Sequence, residues 1–417
     1  MTKPDIRSIC AAAKRATFEL ASLSEKRKDK ILRAMAEGID QNRQVILEAN
    51  GIDLELADRD GISGALRDRL CLNESRLDAM LSEIEEVVAL PDPVGIVLEE
   101  RLLESGIRLK KITVPVGVVA MIYEARPNVT SDASVLCVKA GNAVVLRGGK
   151  EALRTNIAIA EVLQNAGEAH GLPRAAIQLI SSTDRECVRE LVQCTESVDL
   201  VIPRGGESLI RAVADSARVA VIKHYKGLCH IYVDSSANLE RAIEICENAK
   251  CQRPGVCNAV ETILVHQEIA DQFLPLLCQR LAQCGVEIRG DRQVCLAYPA
   301  ANIATSEDWR TEYLDLIVSI KVVGGVFEAI NHINEFGSHH SDAILSEDKE
   351  NQELFVQQVD SAAVYVNAST RFTDGSQYGM GSEIGISTDK LHARGPMGAR
   401  ELTTYKWVGW GNGQIRS

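Results

Sequence analysis

From about residue 107 the chain repeats one theme: a short β-branched run, turn residues, then a segment of helical period. The runs are Val116 to Ile122, Ala143 to Leu146, Ile177 to Ile180, Leu200 to Ile202 and Val219 to Ile222; the first four are each followed by the turn residues and, usually, by the helical segment. Strands this short and apolar, alternating with helices, predict an α/β layer with a mostly parallel sheet. A second series begins near Cys229, with His230 to Val233, Thr262 to Val265, Val318 to Val323 and Ala363 to Asn367. In sheets of this kind ligands bind at the carboxyl ends of the strands. That rule selects Arg126, Asn128, Arg147, Lys150 and Arg204, the polar residues just after the first series.

The two ends of the chain read differently. The first ninety residues read as helices, with Ser24 as N-cap of a segment that carries Ile31, Leu32, Met35 and Ile39 on one face. The charged run Glu25 to Lys30 reads as a solvated helix face. A basic, partly alternating strand begins at Ile107-Arg108-Leu109, and Pro115-Val116-Gly117 interrupts it. Near the C-terminus Tyr405, Trp407 and Gly409 are in phase. This segment reads as a strand that leaves the body, to pair with the strand near Ile107 or with another subunit.

A length of 417 residues allows two or three domains. The net charge of -12 argues against broad attraction to nucleic acid or to an anionic membrane. No apolar span is long enough for a membrane helix and Met1 to Asp5 has no signal core, so the expected location is cytoplasmic. The twelve cysteines fall at irregular intervals, which fits a reducing compartment. There is no CxxC or HExxH, and His339-His340 lacks partners at metal spacing, so no metal is expected.

No GxGxxG occurs; Gly379-Met380-Gly381 has the wrong spacing and follows no strand. The run Pro203 to Ser208 follows the strand Leu200 to Ile202 and opens a helix. It would put the backbone N–H groups of Gly205 and Gly206 where a pyrophosphate lies, or it is an ordinary strand-to-helix turn. The richest stretch is Lys250 to Thr262. Cys257 stands there between Pro254-Gly255 and Asn258-Ala259, just before the apolar run Val260 to Val265. Most free cysteines are small buried hydrophobes. A thiol on a turn at the end of an element is placed as a nucleophile must be.

Several long segments occur in one order: Ile122 to Thr130 (IYEARPNVT), Lys139 to Lys150, Leu200 to Gly206, Lys250 to Thr262, Val364 to Gly375 and His392 to Gly398. Over nearly the whole chain they resemble the γ-glutamyl phosphate reductases of the aldehyde dehydrogenase superfamily. The resemblance implies an aldehyde dehydrogenase-like α/β fold of two domains with mostly parallel sheets. The NADPH-binding domain would comprise residues 1–106 and 116–227, and the catalytic domain residues 228–395. A small β oligomerisation element would comprise residues 107–115 and 400–417. The implied activity is reduction of γ-glutamyl phosphate to glutamate semialdehyde through a cysteine thioester, the second step of proline biosynthesis. A homo-oligomer (dimer or tetramer) and a transient contact with glutamate 5-kinase are also implied.

Residue by residue, the resemblance makes Cys257 the nucleophile. It gives Asn128, with the Cys257 backbone N–H, the charge developing on the substrate oxygen. Arg147 replaces the superfamily's cofactor-facing lysine, and Lys150 follows; two cations suit the extra phosphate of NADPH. Glu312 aligns, on a loose local match, with the glutamate that holds the nicotinamide ribose. Arg126, Arg371 and Arg394 are candidates for the substrate phosphate or α-carboxylate. His224 falls where hydrolytic relatives carry a general-base glutamate, a departure that agrees with acyl-phosphate chemistry. Two rival readings are an enzyme of this fold reducing another activated acid, such as an acyl-CoA, and a non-catalytic nucleotide-binding scaffold.

Overall fold

The computed structural model describes residues 4–62 and 64–416. The chain forms two compact units. One comprises the chain up to Lys223, with Gly379–Ile386 and the segment from Pro396 onward; the other comprises His224–Tyr378 and Ser387–Gly395. Among the described residues no helix is long and apolar enough to cross a membrane.

The first unit is built on a four-stranded parallel sheet, in the order Ile177–Leu179, Ala143–Arg147, Val118–Tyr123, Leu200–Arg204. Val118–Tyr123 and Ala143–Arg147 are buried at every position, as strands covered on both faces must be. The run Val219 to Ile222 does not become a strand. It keeps a single bridge, Val221 to Val201, because it lies along the sheet edge with only two backbone bonds to Val201.

The helix Glu25–Gln41 buries Ile31, Leu32, Met35 and Ile39 as its periodicity predicts, although the Ser24 side chain makes no capping bond. The charged run at its start is solvated at Glu25, Lys26, Arg27 and Lys30, but not throughout. Lys28 falls on the apolar stripe and is buried, donating to Asp92 (2.6 Å) and to the Lys139 carbonyl (3.0 Å). Asp29 in turn accepts from the buried Lys139 ammonium (3.0 Å). Fixed donors and acceptors offset the desolvation of these charges.

The same unit carries a three-stranded antiparallel sheet of Val97–Leu102, Arg108–Pro115 and Thr403–Trp410. The C-terminal strand thus pairs with the strand near Ile107, in the register Tyr405 to Thr113 and Trp407 to Lys111.

The second unit holds seven parallel strands, in the order Asn302–Ile303, Glu287–Gly290, Ile317–Val323, Val260–His266, Cys229–Val233, Ser341–Leu345, Ala363–Val366. One buried cluster of Ile231, Val233, Ile263, Val265, Phe273 and Leu277 joins the sheet to its helices. Ser341–Leu345, next to the edge strand Ala363–Val366, is not foreseen from the pattern. Its polar start is buried through mutual pairing: Asp342 accepts the His230 backbone N–H (2.7 Å) and faces that residue's ring Nδ1 (3.1 Å).

Candidate active site

In a parallel sheet, the loops that run into the strands all lie on one edge. Four such loops of the second unit converge there. His224 and Gly227 precede Cys229–Val233, Cys257 precedes Val260–His266, Glu312 precedes Ile317–Val323, and His340 precedes Ser341–Leu345. The Cys257 sulfur and one ring nitrogen from each of His224 and His340 all lie within 4.8 Å of one another. The two imidazole rings meet edge to face, 5.7 Å apart. This centre is on the amino edge of its sheet, opposite to the rule applied to the first series.

Close backbone packing holds the thiol. A Cβ on Gly227 would stand 2.0 Å from the Cys257 carbonyl oxygen and 2.4 Å from its Cα, so only glycine fits. The Gly227 N–H donates to Glu312 (2.9 Å), and the Cys229 thiol donates to the Cys257 carbonyl (3.2 Å). Burial pushes the Cys229 thiol well up, which keeps it protonated as a donor. The ends of the Cys257 loop are pinned by a fully buried pair, Lys250 to Glu261 (2.7 Å). Burial pushes Glu261 up to about 7, against the pull of Lys250. Cys251, the alternative nucleophile, sits at the end of a helix, and burial pushes its thiol up to about 12.

Hydroxyl groups lead away from the centre. His340 Nδ1 lies 2.9 Å from Ser341 Oγ, which donates to Thr373 Oγ1 (2.6 Å). Thr373 Oγ1 is 2.7 Å from the Tyr365 hydroxyl, itself 2.7 Å from that of the exposed Tyr378. A continuous line of hydrogen bonds thus runs from the histidine beside the thiol to the surface.

The candidate arginines separate. Arg371 donates to the Asn258 side-chain oxygen and to Gln252 (2.8 Å), next to Cys257 in sequence. Burial lowers its basicity, while Asp374 and the Cys257 thiol act in the opposite sense. With Gln252, Asp374, Ser376 and Gln377 it lines a cavity of about 240 Å³. Arg394 is instead bound to Asp360, through the carboxylate (3.0 Å) and the backbone carbonyl (2.9 Å).

The first unit gathers its candidates at the carboxyl ends of its strands. Arg147 is buried, with its terminal nitrogens on the Gly148 and Thr183 carbonyls (3.1 Å each). Its Nε is buried with no hydrogen-bond partner, and burial lowers its basicity. Lys150 is exposed and pairs with Asp60 (3.3 Å). Gly206 caps the helix Glu207–Ser216, and its N–H donates to the Glu124 carboxylate (3.0 Å). A Cβ on Gly205 would stand 2.4 Å from the same carboxylate. Asn128 opens the helix Asn128–Lys139, is exposed, and gives its amide to Asp132 (2.8 Å). Arg126 lies in the turn before that helix and is half-buried.

Comparison with known proteins agrees with this architecture. The aldehyde dehydrogenase family model matches residues 1–297. The chain is 52% identical over 404 residues to a γ-glutamyl phosphate reductase of Caldanaerobacter subterraneus subsp. tengcongensis, covering 97% of this chain and 98% of that one. It is 50% identical over 411 residues to the Nautilia profundicola protein of the same name, covering 99% and 100%. The crystal structure of γ-glutamyl phosphate reductase from Thermotoga maritima superposes with a TM-score of 0.97, at 46% identity, over 99% of this chain and 100% of that one.

Proposed function

Because the chain belongs to the aldehyde dehydrogenase family, and within it to the γ-glutamyl phosphate reductases, we propose that Cys257 is the residue on which the family's reaction runs. That reaction is the reduction of γ-glutamyl phosphate to glutamate semialdehyde and phosphate, a step of proline biosynthesis. The acyl-CoA and scaffold readings give way to it. The observation that carries the assignment is the half-buried Cys257 thiol, set beside two imidazoles by a loop that only Gly227 lets close.

A flanking imidazole takes the thiol proton. The thiolate attacks the γ-carbonyl, the carbon–oxygen bond to phosphate breaks, and phosphate leaves with that electron pair. The resulting thioester is a better hydride acceptor than a carboxylate. NADPH, when bound, supplies the hydride. The carbon–sulfur bond then breaks, releasing the aldehyde and restoring the thiol. The side chain of His224, which falls where hydrolytic relatives carry a general-base glutamate, stands beside the thiol, and this supports a thioester that waits for phosphate rather than losing its acyl group to water.

A nicotinamide cofactor is the family's hydride source. Two features of the first unit fit it: the partnerless buried Nε of Arg147, and a helix N-terminus at Gly206 that already accepts a carboxylate. Gly205 and Gly206 would hold the pyrophosphate, and Arg147 with Lys150 the phosphate that distinguishes NADPH. Asn128 keeps the oxyanion role and Glu312 the ribose role. In the cavity of the second unit, Arg371 suits the substrate α-carboxylate and Asp374 its ammonium group. Arg126 is the better candidate for phosphate, since Arg394 is committed to Asp360. The working form is a cytoplasmic homo-oligomer joined through the three-stranded sheet, meeting glutamate 5-kinase transiently.

The test is the reverse reaction. Semialdehyde with NADP should give at most one equivalent of NADPH per Cys257, and added phosphate or arsenate should restore turnover. Steady phosphate-free turnover would overturn the acyl-phosphate mechanism.

A further inference from the structure

We infer that Cys257, His224 and His340 form a binding site for zinc-class divalent ions, and that the bound ion switches the enzyme off by occupying its nucleophile. Two imidazoles and a thiolate are a ligand set that zinc favours, and three protein ligands leave a fourth position for water. Zinc–nitrogen and zinc–sulfur bond lengths place tetrahedral ligands about 3.3–3.6 Å apart. The three donor atoms already lie within 4.8 Å of one another, so shifts of about 1 Å complete the geometry. Two of the three can make such shifts by side-chain rotation, because Cys257 and His224 are half-buried and stand on a turn and an irregular loop rather than in strands. The third is held in place. The His340 ring is buried and oriented through Nδ1 by Ser341 (2.9 Å), whose hydroxyl is itself fixed on Thr373 (2.6 Å). Zinc ligands are characteristically oriented in this way by a second hydrogen bond.

Coordination releases the thiol proton to solvent and commits the sulfur electron pair to the metal. That pair is the one the acyl transfer needs, so binding and turnover exclude each other. The inhibition rests on the proposed role of Cys257, whereas the binding does not.

Cobalt(II) added to the chelator-treated full chain reports binding directly. The expected result is one equivalent bound, with the visible bands of four-coordinate cobalt and a near-ultraviolet thiolate-to-cobalt band. Cys257→Ser should abolish the thiolate band. His224→Ala should weaken cobalt binding about 10-fold or more, and Ser341→Ala, which leaves all three ligands in place, by about 10-fold. Zinc should also protect Cys257 from iodoacetamide, read by mass spectrometry, until a chelator is added. A cobalt spectrum that survives Cys257→Ser, or alkylation unaffected by zinc, would overturn the site. If the spectrum is as expected but zinc leaves turnover unchanged, the nucleophile assignment fails instead.

Discussion

At the scale of single residues, the sharpest expectation concerns Cys257. Cys257→Ser should lower turnover by at least about 10³-fold while NADPH binding is retained, because an alcohol is a much weaker nucleophile at neutral pH. Cys10, Cys251 and Cys278 should tolerate the same change, since burial pushes each of their thiols up to about 12. Sizeable turnover in Cys257→Ser would show that the nucleophile lies elsewhere. The cofactor residues make a separate prediction. Arg147→Ala and Lys150→Ala should raise the NADPH Michaelis constant more than the NADH one, each by about 1.5–3 kcal/mol where a charge-assisted bond is lost. The buried Arg147 should show the larger effect, because the exposed Lys150 already has Asp60 as partner. Equal losses for both cofactors would mean that these side chains serve the shared part of the dinucleotide or the fold. The turn that carries Cys257 was legible in sequence because its residues are local. The grouping of Cys257 with His224 and His340 was not, because three separate loops supply it and no spacing rule spans them.

At the scale of elements, the β-branched runs gave away most strands, since burial on both faces selects Val and Ile almost without interruption. Two of the failures share one cause. Ser341–Leu345 hides because Ser341 and Asp342 are polar yet buried, satisfied by Thr373 and His230 rather than by water. Lys28 misleads for the same reason, being a charge folded inward onto Asp92. Partners that lie far away along the chain do not alter the local pattern, so composition misjudges both. The loop entering Cys229–Val233 shows how an element sets chemistry. Gly227→Ala forces a Cβ into backbone atoms of Cys257, which cannot yield as a flexible side chain would. The variant should fold, bind NADPH normally, and lose at least about 100-fold in kcat, because about 1 Å of misplacement costs that much. Near-wild-type turnover would mean that the contact between the two loops is not what positions the thiol.

At the scale of the whole molecule, the three-stranded sheet is the part least explained by one chain alone. Small sheets need a covered apolar face to be stable. This one leaves Leu102 76% and Trp410 64% exposed, with Tyr405 and Trp407 also largely in solvent. Lys111 lies 3.7 Å from the Tyr405 ring centroid, and Arg101 flanks Trp407 at 5.8 Å. These cations cover the rings only in part. Aromatic residues flanked by cations, on a strand that is one edge of its sheet, are the composition of an interface rather than of a monomer's surface. A second copy of the chain is the occupant that the proposed homo-oligomer calls for. Trp407→Asp and Trp410→Asp together should therefore lower the sedimentation mass toward that of one chain. Far-UV circular dichroism should be unchanged, since the parallel sheets of both units are built without these residues. The buried strands carry the fold, so thermal unfolding of the double variant should become independent of protein concentration, as it cannot be for a dissociating oligomer. A double variant that keeps the wild-type mass would remove this sheet from the interface, and the exposed aromatics would then require a different partner.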